Sequence, residues 1–270
     1  MASYLITGST RGLGFALTAL LASKPASEVS KIFATSRKQN DALAKLVHES
    51  AGRVEFVQLD VADPQSAKEA AKAVEKTLGG KGLDVLVNNA GISNRGPQGI
   101  EEMTDLGETF RMNVIGVHDV TSAFLPLLRK GTLKKVINMY VVLLCTVAAV
   151  NNPDIRLRSS TLGSMTMAPY FADNNTPAYK VSKAALNMLT VQYSLALADE
   201  GFTFVAICPG WVKTELGTER ADLTVEQSVN GVSEIVFRVN AADTGKFFTV
   251  NVPEFEKDGQ KLYDGSCRPW

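Results

Sequence analysis

Apolar positions along the chain fall into two alternating periods. Short runs that are apolar almost throughout, at 4–7, 31–35, 54–59, 83–87, 135–138, 203–208 and 247–250, predict strands buried on both faces. Between them, apolar residues recur at three- and four-residue spacing over 12–23, 41–50, 65–78, 104–128, 178–197 and 225–240, which predicts helices. In the first helix Leu13, Ala16, Leu17, Leu20 and Leu21 share a face. Strands alternating with helices of about ten residues or more need right-handed crossovers and a parallel sheet covered on both sides. The expectation is an α/β protein, a single domain over 1–270 with a doubly wound parallel sheet and helices on both faces.

Composition narrows the function classes. A chain of 270 residues, 45% of them apolar, can bury one sizeable core. Its 28 basic and 28 acidic residues cancel, so neither nucleic acid nor an anionic membrane is expected as a partner. Cys145, Cys208 and Cys267 are too scattered for a disulfide framework or a paired-cysteine metal motif, and His48 and His118 suit surface or capping roles. No metal site is expected. The start of the chain runs straight into a strand, and its longest apolar run, 140–150, is half the roughly 20 residues that span a bilayer. A cytoplasmic location follows as the default expectation.

The chemistry concentrates where strands end. Thr7-Gly8-Ser9-Thr10-Arg11-Gly12-Leu13-Gly14 lies between the first strand and an amphipathic helix. Glycines there let the chain turn tightly and let its backbone approach a pyrophosphate, while the helix N-terminus offers N–H donors. This is a Rossmann arrangement. The second strand ends in Thr35-Ser36-Arg37-Lys38, with no carboxylate to bind a ribose 2′-hydroxyl. Arg37 instead suits a 2′-phosphate, and Arg11 offers a second cation, so NADP(H) is the expected cofactor; a solvated surface role is the alternative for both. Asp60 and Val61, after the third strand, suit an adenine, although Asp60 also suits capping the next turn. Asn88, Asn89, Ala90 and Gly91 end the fourth strand, small enough for a dinucleotide to pass and with amides able to pin neighbouring strands.

Tyr179 and Lys183 stand four apart at the start of a long helix and so share a face. A cation beside a phenol favours phenolate, which fits a tyrosine for proton transfer to an alkoxide or from an alcohol. Together with the glycine turn, Asn88-Asn89-Ala90-Gly91, Asn113 in Met112-Asn113-Val114, and Pro209-Gly210 followed by Thr214, these residues resemble the classical short-chain dehydrogenase/reductase family over about 4–250. The stretch YKVSKAALNMLT (179–190) and Gly245-Lys246-Phe247 are similar to the C-factor-like and sniffer-like carbonyl reductases and to fungal ketoreductases. The resemblance implies hydride transfer to a ketone or aldehyde, reversibly. Tyr179 would be the acid/base, Lys183 would favour its phenolate and hold ribose, Asn113 would hold a water in a proton relay, and a serine would polarise the carbonyl. Pro209, Gly210, Val212 and Thr214 would position the nicotinamide, and Leu13 would contact the cofactor. A homodimer or homotetramer through long helices is also implied.

The serine motif is interrupted. The fifth strand reaches Val136-Ile137-Asn138-Met139, and nineteen residues, 140–158, intervene before Ser159-Ser160-Thr161-Leu162-Gly163. Joining Met139 to Ser159 restores the family register and makes Ser160 the catalytic serine, with Ser159 and Ser164 behind it. Three readings of the interruption stay open: a real elaboration at the substrate site or an oligomer contact, a cover for a sheet edge or helix, or the product of a retained intron. The abruptness of the break favours the third. The alternative to a working enzyme is therefore an impaired NADP(H)-binding or regulatory protein. Residues 211–226 sit where a substrate lid is expected; Trp211, Leu216 and Leu223 from that side, and Met165, Met167, Tyr170 and Phe171 from the other, suit an apolar substrate or ordinary packing. The polar tail 253–270 is expected to wrap the body, with Trp270 packed against it.

Overall fold

The computed structural model describes residues 1–93, 100–140, 162–166, 168–171, 174–257, 259 and 261–270. Seven strands form one parallel sheet: β1 (Ala2–Thr7), β2 (Val29–Ser36), β3 (Val54–Gln58), β4 (Val85–Asn88), β5 (Lys135–Met139), β6 (Thr203–Cys208) and β7 (Phe247–Thr249). Their order is β3-β2-β1-β4-β5-β6-β7, so the winding reverses between β1 and β4. At such a reversal the connecting loops diverge and leave a crevice beyond the carboxyl ends of the strands.

The two-residue period of a strand explains why both sheet faces are apolar. Tyr4, Ile6, Val85, Val87, Ile137, Val205 and Ile207 face one way, onto Leu13, Leu17 and Leu21 of α1 (Gly12–Ser23) and Val229, Val232 and Val236 of α7 (Val225–Arg238). Their neighbours Leu5, Phe33, Leu86, Val136 and Phe204 face the other way, onto Val74 of α3 (Pro64–Leu78) and Val120, Phe124 and Leu127 of α5 (Gly116–Lys130). The remaining helices are α2 (Asp41–Glu49), α4 (Leu106–Phe110) and α6 (Pro177–Ala196). Among the described residues no helix is long and apolar enough to cross a membrane.

One expected helix is not continuous. The stretch 104–128 resolves into α4, a π-helical turn over Arg111–Ile115, and α5, with Gly116 N–H bonded back to the Arg111 carbonyl. A π turn adds a residue to the helical repeat, and such turns cluster at functional sites. Here it carries Asn113.

The tail covers the sheet edge left by β7. Arg268 N–H donates to Phe247 O (2.6 Å), Thr249 N–H to Ser266 O (3.1 Å) and Gly265 N–H to Val250 O (3.2 Å). Backbone groups that would otherwise form an open edge are thereby paired. Trp270 stacks on Phe247, with ring centres 5.5 Å apart.

Candidate active site

At the reversal point lies a cleft of about 840 Å³, in the size range of a cofactor site. Its floor is the turn from β1 into α1. Gly8 (φ +72°) and Gly12 (φ +55°) hold left-handed backbone that disfavours a side chain. At Gly14 a Cβ would lie 2.3 Å from the Gly8 carbonyl oxygen and 2.5 Å from Asn89 Nδ2, so the turn closes only on glycine. No side chain caps the start of α1, and its first turn carries no acid, which leaves N–H donors directed at the cleft.

The sequence-derived cofactor residues divide by place. Gly8, Arg11, Gly12, Leu13, Gly14 and Arg37 line the cleft. So do Asp60, Val61, Asn89, Ala90, Gly91 and Thr214. Pro209, Gly210 and Val212 are buried and do not line the cleft. Asp60 borders the cleft, and its Oδ1 accepts from Ala62 N–H (3.0 Å), the turn contact weighed as its alternative. Asn89 Nδ2 donates to Thr7 O (2.8 Å), and the Thr7 hydroxyl accepts from the backbone N–H groups of Asn89 and Ala90, which ties the β1 and β4 loops together. Asn88 is structural, donating to Asn138 Oδ1 (2.9 Å) and Thr121 Oγ1 (3.1 Å).

Some lining residues had no sequence signal attached to the cleft. Ser36 and Lys38 flank Arg37, Lys213 approaches from the segment after β6, and Glu215 of that segment forms an ion pair with Arg11 (2.8 Å). Arg11 is therefore matched to an acid in this structure. Of the residues suggested for substrate contact, Leu216 borders the cleft. Trp211 and Leu223 instead belong to the packed interior, Trp211 Nε1–H donating to Gly217 O (2.5 Å). Met165 is exposed; Met167 and the side chains of Tyr170 and Phe171 lie outside the described residues.

Beyond the ends of β5 and β6 a buried tyrosine and lysine adjoin the sheet. Pro177 opens α6, and Tyr179 and Lys183 follow one helical turn apart, 1% and 2% exposed. The Lys183 ammonium lies 5.5 Å from the Tyr179 ring centre and donates to Met139 O at the end of β5 (3.1 Å). Burial pulls the pKa of Lys183 from 10.5 down to about 7. Asn113, on the π turn, is buried, and its side chain joins two elements. Nδ2 donates to Ile92 O (2.8 Å) and to Ser182 Oγ of α6 (3.1 Å), while Oδ1 accepts from Ile92 N–H (2.9 Å). Ser159 and Ser160 lie outside the described residues, and Ser164 is buried.

Sequence reasoning missed Tyr140. Counted as the first residue of the interruption, it is fully buried and packs with Leu162 and Tyr179 in one apolar cluster. Its ring centre lies 5.0 Å from Lys183 Nζ. Burial pushes its phenol well above the ordinary range, so the hydroxyl keeps its proton. An aromatic residue opening a long apolar run reads as part of that run; only the fold places it beside the lysine.

The comparisons with known proteins bear on family and fold. The family described as short chain dehydrogenase matches residues 3–148, and one described as Enoyl-(Acyl carrier protein) reductase matches 137–244. A short-chain dehydrogenase/reductase of Aspergillus aculeatus, AacuF, is 36% identical over 223 residues, 78% of this chain and 74% of its own length. Among solved structures, the NADPH-bound carbonyl reductase from chicken fatty liver is 29% identical at a TM-score of 0.80, covering all of this chain and 94% of its own. The carbonyl reductase Sniffer of Drosophila melanogaster is 26% identical at the same TM-score and is covered in full along with this chain. With its family match, its parallel Rossmann sheet and its relatives in accord, the chain belongs to the short-chain dehydrogenase/reductase family.

Proposed function

We propose that this chain is an NADP(H)-dependent carbonyl reductase that interconverts a ketone or aldehyde and its alcohol. The observation that carries the reading is the burial of Tyr179 and Lys183 side by side on α6, at the same sheet end as the dinucleotide-sized cleft. The cleft fits the cofactor by shape and charge. Left-handed Gly8 and Gly12 and the closed packing at Gly14 let the backbone turn pass close to a pyrophosphate, and Arg37 and Lys38 line the β2 end, where a 2′-phosphate would sit. NADPH bound there supplies the hydride. The protein's own share is proton transfer and positioning: the Tyr179 hydroxyl gives its proton to the nascent alkoxide oxygen, and the Lys183 ammonium favours the phenolate left behind. Asn113 locks the Ile92 loop to α6, which fixes the distance between cofactor cleft and tyrosine, and stands where a relay water would be held. Ser160, two residues before the buried Leu162, is the donor assigned to the carbonyl. Residues 211–226 act as the lid, and the apolar edge formed by Ile92 and Leu216 favours an apolar substrate. NADPH oxidation over a ketone panel tests the reading. Turnover should vanish in Tyr179→Phe and fall at least 100-fold in Ser160→Ala, with NADPH affinity retained in both. Undiminished turnover in Tyr179→Phe would overturn it.

A second reading, a cofactor-binding protein with impaired catalysis, draws on the residue that follows β5. Tyr140 follows Met139 where the family register would have Ser159, one residue ahead of the serine assigned to the carbonyl, and Lys183 donates to Met139 O. Tight NADPH binding without turnover, with turnover gained on deleting 140–158, would favour it.

A further inference from the structure

Lys183 is enclosed by two segments that are far apart in sequence. From one side comes Tyr140, immediately after β5; from the other comes Gly163. A Cβ on Gly163 would stand 2.8 Å from both the carbonyl carbon and the Cβ of Lys183, so glycine permits the segment to lie directly on that turn of α6. One side chain joins the two. Asn187, one turn beyond Lys183 and 5% exposed, accepts the Tyr140 hydroxyl at Oδ1 and donates through Nδ2 to Gly163 O (3.0 Å). The Tyr140 hydroxyl also lies 3.1 Å from the Lys183 carbonyl oxygen, and its ring packs on Phe247 with centres 4.8 Å apart. Nothing in the proposed reduction uses Asn187, yet it is a buried polar group on the catalytic face of α6 with both ends of its amide engaged.

We propose that Asn187 and Tyr140 are positioning residues for Lys183: Asn187 fixes the Tyr140 ring as a dry wall beside the ammonium and seats Gly163 against the lysine's own helical turn. The inference rests on the reductase reading for what Lys183 does, but not for where Lys183 is held. Burial alone depresses the lysine, and Tyr140 supplies one face of that burial. Among the described residues the titratable groups of this cluster are Tyr179 from α6, Tyr140 from the end of β5 and Cys208 from the end of β6; no carboxylate acts on the lysine. The ring also attracts the ammonium through its π face, which opposes the effect of dehydration. Truncating tyrosine to alanine leaves space for several waters against a polar group, so hydration decides the sign.

The experiment is a titration of the protein with its lysines isotopically labelled at Cε, followed by nuclear magnetic resonance without cofactor. Lys183 is assigned by the signal lost in Lys183→Met. In the unmodified chain the midpoint is expected near 7. In Tyr140→Ala it should rise by more than one pH unit toward the ordinary lysine range. Asn187→Ala and Tyr140→Phe, which each cut the tie while keeping the ring, should move it the same way by less. The double variant Tyr140→Ala/Asn187→Ala should move it no further than Tyr140→Ala alone, because the two residues act in series. An unmoved midpoint in Tyr140→Ala, or additive shifts in the double variant, would overturn the proposal. Tyr140→Phe keeps the test open should Asn187→Ala not fold. Since the readout needs no turnover, failure of the reductase reading, seen as undiminished activity in Tyr179→Phe, is separable from failure of this one.

Discussion

Replacing Lys183 by methionine should make the cofactor-free protein more stable while removing its activity. Methionine keeps the length and the apolar contacts of the lysine stem and discards the ammonium. The lysine titrates near 10.5 when unfolded and near 7 in the fold, with burial as the cause. At and below neutral pH both states are charged, so the fold carries the whole penalty, roughly 5 kcal/mol as a ceiling. Losing the hydrogen bond to Met139 O offsets about 1 kcal/mol of it. A gain of about 2–4 kcal/mol is therefore expected at pH 6.5.

The sign of the pH dependence follows from proton counting. Between pH 7 and 10.5 the unfolded chain holds a proton on Lys183 that the folded chain has released, so the stability of the unmodified protein rises with pH through that window. The advantage of Lys183→Met should shrink by up to about 1.4 kcal/mol per pH unit above pH 7 and vanish between about pH 8.5 and 10. Urea unfolding of both proteins at pH 6.5, 8 and 9.5, with linear extrapolation to water, measures it. Taking the difference between variants cancels the other titrating groups. An equal difference at all three pH values would refute the reasoning, and so would a less stable variant at pH 6.5.

Other perturbations probe the rest of the site. Arg37→Ala should weaken NADPH binding about 10- to 100-fold and leave NADH nearly unchanged, since one charge-assisted contact is worth roughly 1.5–3 kcal/mol; nicotinamide fluorescence titration checks it. Gly14→Ala places a methyl 2.3 Å from Gly8 O, so cofactor binding should be lost and stability should fall by about 1–3 kcal/mol, read by calorimetry and the same titration. Tyr263 accepts Trp211 N–H (3.2 Å) and donates to Asp222 Oδ2 (3.0 Å), holding the tail to the segment 211–226 proposed as the lid. Tyr263→Phe should lower stability by about 1–3 kcal/mol and raise the substrate KM more than it changes kcat.

The layering of this protein is written locally in its sequence. Runs such as Leu83–Val87 and Thr203–Cys208 are apolar at every other position on both faces, which only a sheet covered twice can accommodate. The glycine turn is legible for the same reason: Gly8, Gly12 and Gly14 stand between strand and helix, where backbone approach is the requirement. What escaped were relations between distant segments. A π turn leaves the apolar spacing of 104–128 almost unaltered, so a single helix was the natural expectation. Trp211 and Leu223 were open to the substrate or to packing, and only the contacts of the tail place them in the interior. Glu215 carries no signal until the fold brings it to Arg11.

Tyr140 and Asn187 belong to that second class, and they change how the interruption bears on the fold. Closing a loop of roughly 20 residues costs on the order of (3/2)RT ln n, about 2.7 kcal/mol, and each doubling adds only about 0.6 kcal/mol. Burying Tyr140 returns roughly 2–3 kcal/mol, and its tie through Asn187 to Gly163 adds to that. Tyr140 and Gly163, on either side of 141–161, are thus tied to each other through Asn187 by contacts of about the size of such a closure cost. Deleting 140–158 removes the loop and the tyrosine together, so the two effects nearly cancel in stability. A change in turnover on that deletion therefore reports the site, through the surroundings of Lys183 and Tyr179 and the return of Ser160 to the register after Met139, and not a fold gained or lost.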